Sequence, residues 1–161
     1  MSLLFVHNQF SKNNFNSYNE LASLLYQEHK LKSDFLFWRE NDIDFHKNLK
    51  TIRDNCFSFE SFYKKNLINK NNSIDVFVKK YPNINWSQIV SSERAFTDYS
   101  MLLGSTGARS ENLNYIHNLV MNIVEFISFH LKNKVGIVCQ TADTLFSHIT
   151  IKLAQHYKTK I

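Results

Sequence analysis

Residues 135–158 read VGIVCQTADTLFSHITIKLAQHYK, and the order of elements in this stretch decides the fold class. Val135-Gly136-Ile137-Val138-Cys139 is a short apolar run without alternation, the pattern of a strand buried on both faces of a parallel sheet. A polar turn follows, and Thr141 is positioned to cap a helix that ends near Lys158. Strand, turn and helix make the first half of a βαβ unit, which calls for a second parallel strand. Only Thr159, Lys160 and Ile161 follow. The expectation is therefore a sheet with an unfinished edge: one lobe of a larger α/β protein, or a lobe acting alone.

The start of the chain repeats this grammar. Leu3-Leu4-Phe5-Val6 reads as a buried strand and Phe35-Leu36-Phe37-Trp38 as a second one. Between them, Ser17 is the expected cap of a helix over 18–29, with Leu21, Leu24 and Leu25 as its apolar stripe and Glu20 as first-turn acid. A β-α-β crossover of this kind is almost always right-handed. The middle reads as helices. Residues 44–55 and 58–70 are short, amphipathic and rich in Phe and Tyr. Ser73 caps a helix that Pro82 stops, and residues 86–103 carry Trp86, Ile89, Val90 and Phe96 at helical spacing. Ser110 precedes the longest helix, 111–132, whose Leu113, Ile116, Val120, Ile123, Ile127 and Leu131 recur every three or four residues. The predicted architecture is α/β: a single domain over 1–161, helix-rich, with a small parallel Rossmann-like sheet flanked by helices.

Composition narrows the function classes. One Pro and three Gly among 161 residues argue against disorder and against an all-β sandwich, which needs many turns. The net charge of +5 is spread along the chain without a dense basic block, so nucleic acid is not an expected partner. Cys56 and Cys139 read as free thiols of a reducing compartment. The start of the chain lacks a basic signal-peptide region, and no apolar run approaches the roughly 18 residues of a membrane span. A cytoplasmic location is expected. The motifs H-E-x-x-H, C-x-x-C and G-x-S-x-G are absent, so neither a metal nor serine-type hydrolysis is expected. No glycine follows the first strand, which argues against a dinucleotide cofactor, and no other cofactor is expected. Gly104-Ser105-Thr106-Gly107 reads as a helix connection, since it lacks the G-K-[ST] ending of a phosphate loop.

Open parallel sheets bind ligands beyond the carboxyl ends of their strands. Three such ends are polar here: His7, Asn8 and Gln9; Arg39 and Glu40; Gln140, Thr141 and Asp143. They are expected to share one rim, although ordinary strand-to-helix loops have the same composition. A further candidate segment is Trp86 to Tyr99. Its Arg94 has Asp98 four residues on and Phe96 and Tyr99 nearby, a setting in which a planar guanidinium can grip a carboxylate or phosphate. The same residues also suit an ion pair that orients a helix.

The stretch W-x-x-I-x-x-x-E-R-x-F, carried by Trp86, Ile89, Glu93, Arg94 and Phe96, resembles the N-terminal lobe of bacterial capsular and surface polysaccharide biosynthesis proteins of the GT-B glycosyltransferase type. The order of elements over about residues 3–157 is similar as well, with the 135–139 strand and the 140–143 turn matching the family's later strand and turn. The resemblance implies an acceptor-side lobe, probing a sugar or glycan acceptor and inactive without a sugar-nucleotide-binding lobe, none of which is present in this sequence. It implies His7 and Glu93 as candidate bases, Arg39 and Arg94 as holders of an anionic acceptor group, and Asn8, Gln140 and Thr141 as hydrogen-bonding groups at the cleft. Partners would be the acceptor and either a separate donor-binding lobe or further copies of the chain. Two other classes stand beside this one. The first is a non-enzymatic module that docks a partner through its sheet edge and its aromatic surface. The second is a self-sufficient nucleotide-binding enzyme, disfavoured by the missing glycine loop.

Overall fold

In a computed structural model, residues 2–7, 11–48, 56–65, 74–91, 113–139 and 144–161 are described. Their core is a four-stranded sheet of order β3-β2-β1-β4, parallel throughout. The strands are β1 (Ser2–His7), β2 (Lys32–Phe37), β3 (Cys56–Ser58) and β4 (Lys134–Cys139). Among the described residues the helices are α1 (Lys12–His29), α2 (Glu40–Asn48), α3 (Phe59–Lys65), α4 (Ile74–Lys80), α5 (Trp86–Ser91), α6 (Leu113–Leu131) and α7 (Leu145–His156). The expected small parallel sheet flanked by helices is what forms.

The two faces of the sheet follow from the two-residue period of its strands. Phe5 in β1 and Phe35 and Phe37 in β2 point to one side, where Phe15 and Ala22 of α1 and Ile43 of α2 cover them. Leu4, Val6 and Leu36 point to the other side, into a larger cluster built from α3, α5, α6 and α7. Helices cover both faces, which explains why the strands read as continuous apolar runs. Burying each of these large apolar side chains contributes about 1.5–3 kcal/mol. α6 is the central member of the second face, with Ile123, Val124, Phe126, Ile127 and Leu131 all buried along it.

Several boundaries differ from the sequence expectation. α1 starts at Lys12, not Tyr18, because Ser11 is the cap: its backbone is extended and its side chain accepts from the Asn14 amide. Starting earlier lets Phe15 lead the buried face, which continues through Tyr18, Ala22 and Leu25. Leu21 and Leu24, read as the stripe, are exposed at 38% and 51%. The helix ends at Lys30, in the left-handed region at φ 54°. α2 begins at Glu40 rather than Asp44, and β3, which the sequence reading took as helical surroundings, supplies a fourth strand. β3 is three residues long, too short to show a period of its own. α3 follows at once, with the Ser61 amide donating to Ser58 Oγ. α7 is capped by Thr144, not Thr141. The Thr144 side chain accepts from the Ser147 amide and Ser147 Oγ accepts from the Thr144 amide, a reciprocal capping box. The expected helix over 92–103, the loop at 104–107, the cap Ser73 and the cap Ser110 lie outside the described residues.

Past α7 the chain turns back toward β4. Lys160 forms a parallel bridge to Gly136, and the Ile137 amide donates to the Lys160 carbonyl at 2.8 Å. The contact is an isolated bridge and not a further strand of the sheet. Gly136 permits the approach: a Cβ there would lie 3.1 Å from Leu3 Cδ2 and 3.4 Å from the Lys160 carbonyl oxygen. The amino ends of the strands are tied by side chains. Lys134 Nζ donates to Ser2 Oγ at 2.9 Å and pairs with the Asp34 carboxylate, linking β4, β1 and β2 in a nearly buried cluster.

Candidate functional site

The strand order creates one place unlike the rest of the rim. β1 leads through α1 to β2 on one side, and β2 leads through α2 to β3 beyond it. β4 lies on the other side of β1, and its helix, α7, packs on the opposite face of the sheet. The helices that follow β1 and β4 therefore pack on opposite faces of the sheet. Such a topological switch point is where open α/β sheets bind ligands.

Described groups stand near this switch point. Val6 and Cys139 are direct partners at the ends of β1 and β4. Ser11 caps α1 on one side and Thr144 caps α7 on the other, so two helix N-termini begin close to the rim. Tyr18 of α1 contributes a hydroxyl whose pKa is pushed up to about 12, chiefly by burial and further by Cys139. At neutral pH it is therefore a protonated hydroxyl, able to donate. Segments 8–10 and 140–143, which complete the two connections, lie outside the described residues.

His7 does not stand beyond the strand as the sequence suggested. It is the last residue of β1 and is 2% exposed. The alternation of β1 carries it onto the face of Phe5, under α1. Its ring stacks on Phe15 with centroids 4.4 Å apart and on Phe37 at 5.0 Å, with Tyr18 tilted against it at 4.6 Å. Arg39 is exposed just past β2, where it acts electrostatically on Asp42 and Glu60. Burial raises the Asp42 carboxyl above its usual range, with Arg39 opposing the rise. Asn8, Glu93, Arg94, Gln140 and Thr141 lie outside the described residues.

A second rim feature was not anticipated. The Glu60 carboxylate accepts from the Glu40 amide at 3.0 Å and pairs with Lys64 at 2.9 Å. The Glu40 amide and Lys64 hold Glu60 below the ordinary carboxylate range. Glu60 thus caps α2 from α3 and ties the ends of β2 and β3 together. A residue twenty positions away supplies the cap, so no local pattern could have disclosed it.

Among the described residues no cluster of three His, Cys, Asp or Glu could hold a metal ion, and no helix is long and apolar enough to cross a membrane. Comparison with protein-family models, with curated proteins and with solved structures finds no match.

Proposed function

We propose that the chain is the acceptor-side lobe of a glycosyltransferase-like protein of surface polysaccharide biosynthesis, working in the cytoplasm, with the acceptor held at the switch point between β1 and β4. The observation that carries the reading is the switch point itself: two parallel strands, paired at Val6 and Cys139, whose following helices pack on opposite faces. It agrees with the resemblance borne by Trp86, Glu93, Arg94 and Phe96. In this mechanism a base removes the proton of an acceptor hydroxyl, the oxygen attacks the anomeric carbon of a sugar nucleotide, and the nucleoside diphosphate leaves with the bonding electron pair. His7 and Glu93 are the two candidate bases. The burial of His7 among aromatic rings moves the weight of this reading to Glu93. Arg94 and Arg39 hold an anionic group of the acceptor, and Asn8, Gln140 and Thr141 supply hydrogen bonds. The lobe binds and orients; transfer needs a donor-binding lobe.

The test is an NMR titration of the chain with oligosaccharides cut from an acidic capsular polysaccharide. The reading expects amide shifts centred on Val6, Ser11, Cys139 and Thr144. It also expects at least fivefold weaker binding in Arg94→Ala at an unchanged melting temperature. No shifts at these amides, or equal binding by a folded Arg94→Ala variant, rejects the reading.

A second reading has its own support. Beside β4, Leu3, Val135, Ile137 and Ile161 line an open apolar cavity of about 590 Å³, next to the bridge at Lys160. That edge suits a partner chain adding a parallel strand. A stable dimer in sedimentation experiments, abolished by Ile161→Lys at the exposed mouth of this cavity, favours this module; a monomer at all concentrations removes homo-dimerisation as its form.

A further inference from the structure

The second layer of the fold contains a polar cavity far from the rim. It lies between α4 and the carboxyl-terminal half of α6 and is closed at one side by Tyr157; its volume is about 350 Å³. α6 leads directly into the start of β4, and α7 descends from the rim to Tyr157. The cavity therefore sits near the amino ends of the strands, opposite the switch point. Lys134 and Thr159 help line a smaller cavity of about 200 Å³ that adjoins it, sharing Ser128, Lys132 and Tyr157.

Its polar groups are incompletely satisfied. Asn122 is 3% exposed and lines the cavity. Its Nδ2 donates to the Asn118 carbonyl at 2.7 Å, but its Oδ1 is buried without a hydrogen-bond partner among the described residues. That oxygen is shielded from the cavity itself, so the groups a ligand can reach lie elsewhere on the wall. In the same lining, Tyr81 Oη lies 3.1 Å from Ser128 Oγ and 3.1 Å from Tyr157 Oη. Three hydroxyls carry three protons, and these two contacts use two of them. One donor and several lone pairs remain for a ligand.

The walls select its shape and charge. Phe77 and Phe129 offer aromatic surface, Phe129 being 67% exposed. Lys132 is exposed at the mouth, and Lys80 is held there with its ammonium 5.3 Å above the Tyr81 ring. Glu125 also lines the cavity, so two cations face one anion. A hydroxyl chain for both donors and acceptors, aromatic faces for C–H surface, and a net positive mouth together describe one class of molecule.

We infer that this cavity is a second binding site, for a small polyhydroxylated molecule bearing one anionic group, such as a sugar acid or sugar phosphate. The site is independent of the switch point and of the function proposed for it.

Glucuronate and glucose 6-phosphate are the probes, with neutral glucose and inorganic phosphate as controls, followed by amide shifts of the full chain. The expected result is saturable shifts at Tyr81, Asn122, Ser128 and Tyr157 with both anionic sugars, and at least tenfold weaker binding of either control. Tyr157→Phe and Lys132→Met are expected to weaken the sugars at least fivefold, while Arg39→Ala leaves them unchanged. Tyr157→Phe is expected to leave the fold intact, since Tyr157 is 43% exposed. No saturation at 20 mM, equal binding of phosphate or of glucose, or unchanged affinity in Tyr157→Phe overturns the site.

Discussion

The two ends of the sheet are built on different physics. At the amino ends, side chains lock the strands to one another: Lys134 reaches both Ser2 and Asp34, so three neighbouring strands share one charged cluster. At the carboxyl ends, strands are finished by helix caps instead. Ser11, Ser58 and Thr144 each accept from a backbone amide, and Glu60 caps α2 from α3. Capped ends instead anchor the helices that follow the strands. The difference teaches where each end tolerates change: the locked end should answer to substitution in stability, the capped end in local helix order and in binding.

The largest effect is expected at the lock. Removing one partner of a nearly buried pair strands the other charge, so Asp34→Ala or Lys134→Met should cost about 3–5 kcal/mol in urea unfolding. The double change Asp34→Leu with Lys134→Met should recover most of that loss. A cost below about 1 kcal/mol for the single variants would show that the strands are held by packing alone.

Next is a pH effect at the same end. His130 packs on Phe57 at 4.3 Å and on Phe126 at 4.8 Å, and its pKa is lowered to about 4, by burial first and by Lys134 second, with Asp34 opposing. The folded state resists protonating this ring while the unfolded chain accepts a proton near pH 6.5. Stability from this source is therefore complete above pH 6.5 and declines as the pH falls toward about 4. The full linkage would be about 3 kcal/mol, reduced to roughly 1–2 kcal/mol because the ring is partly exposed and screened. His130→Phe should flatten this part of the stability profile between pH 6.5 and 4. An unchanged slope would assign the pH dependence to other groups.

The smallest effect belongs to the capped end. Thr144→Ala removes one arm of a capping box and should cost about 1 kcal/mol. Hydrogen exchange should accelerate mainly in the first turn of α7. Exchange rising evenly across the sheet would erase the distinction between the two ends.

Much of the fold was legible because local patterns report local physics. Continuous apolar runs marked β1, β2 and β4 to within a few residues, since strands buried on both faces leave no polar alternation. The three-four spacing of α6 marked the longest helix for the same kind of reason. Failures came where a partner distant in sequence decides. β3 exists because β2 offers it a parallel edge from Phe35 to Phe37, and three residues carry no readable period. The buried face of α1 was misphased because Leu21 and Leu24 are more hydrophobic than Asn19, yet Asn19 is the one buried at 5% exposure. Choosing which stripe faces the sheet depends on where Phe15 lands, and that follows from the Ser11 cap.

The candidate site divides the same way. The polar tips after β1, β2 and β4 could be named from sequence, but His7 was assigned outside its strand and is buried within it. The sequence by itself determined that this chain is an α/β protein with strands buried on both faces, because hydrophobic periodicity is written residue by residue. Only the tertiary structure decided that β4 lies beside β1, which places the switch point, and that Asn122, Tyr81 and Tyr157 meet around one cavity. Strand order and helix packing are set by the sum of many long-range contacts, and no single stretch of sequence carries that sum.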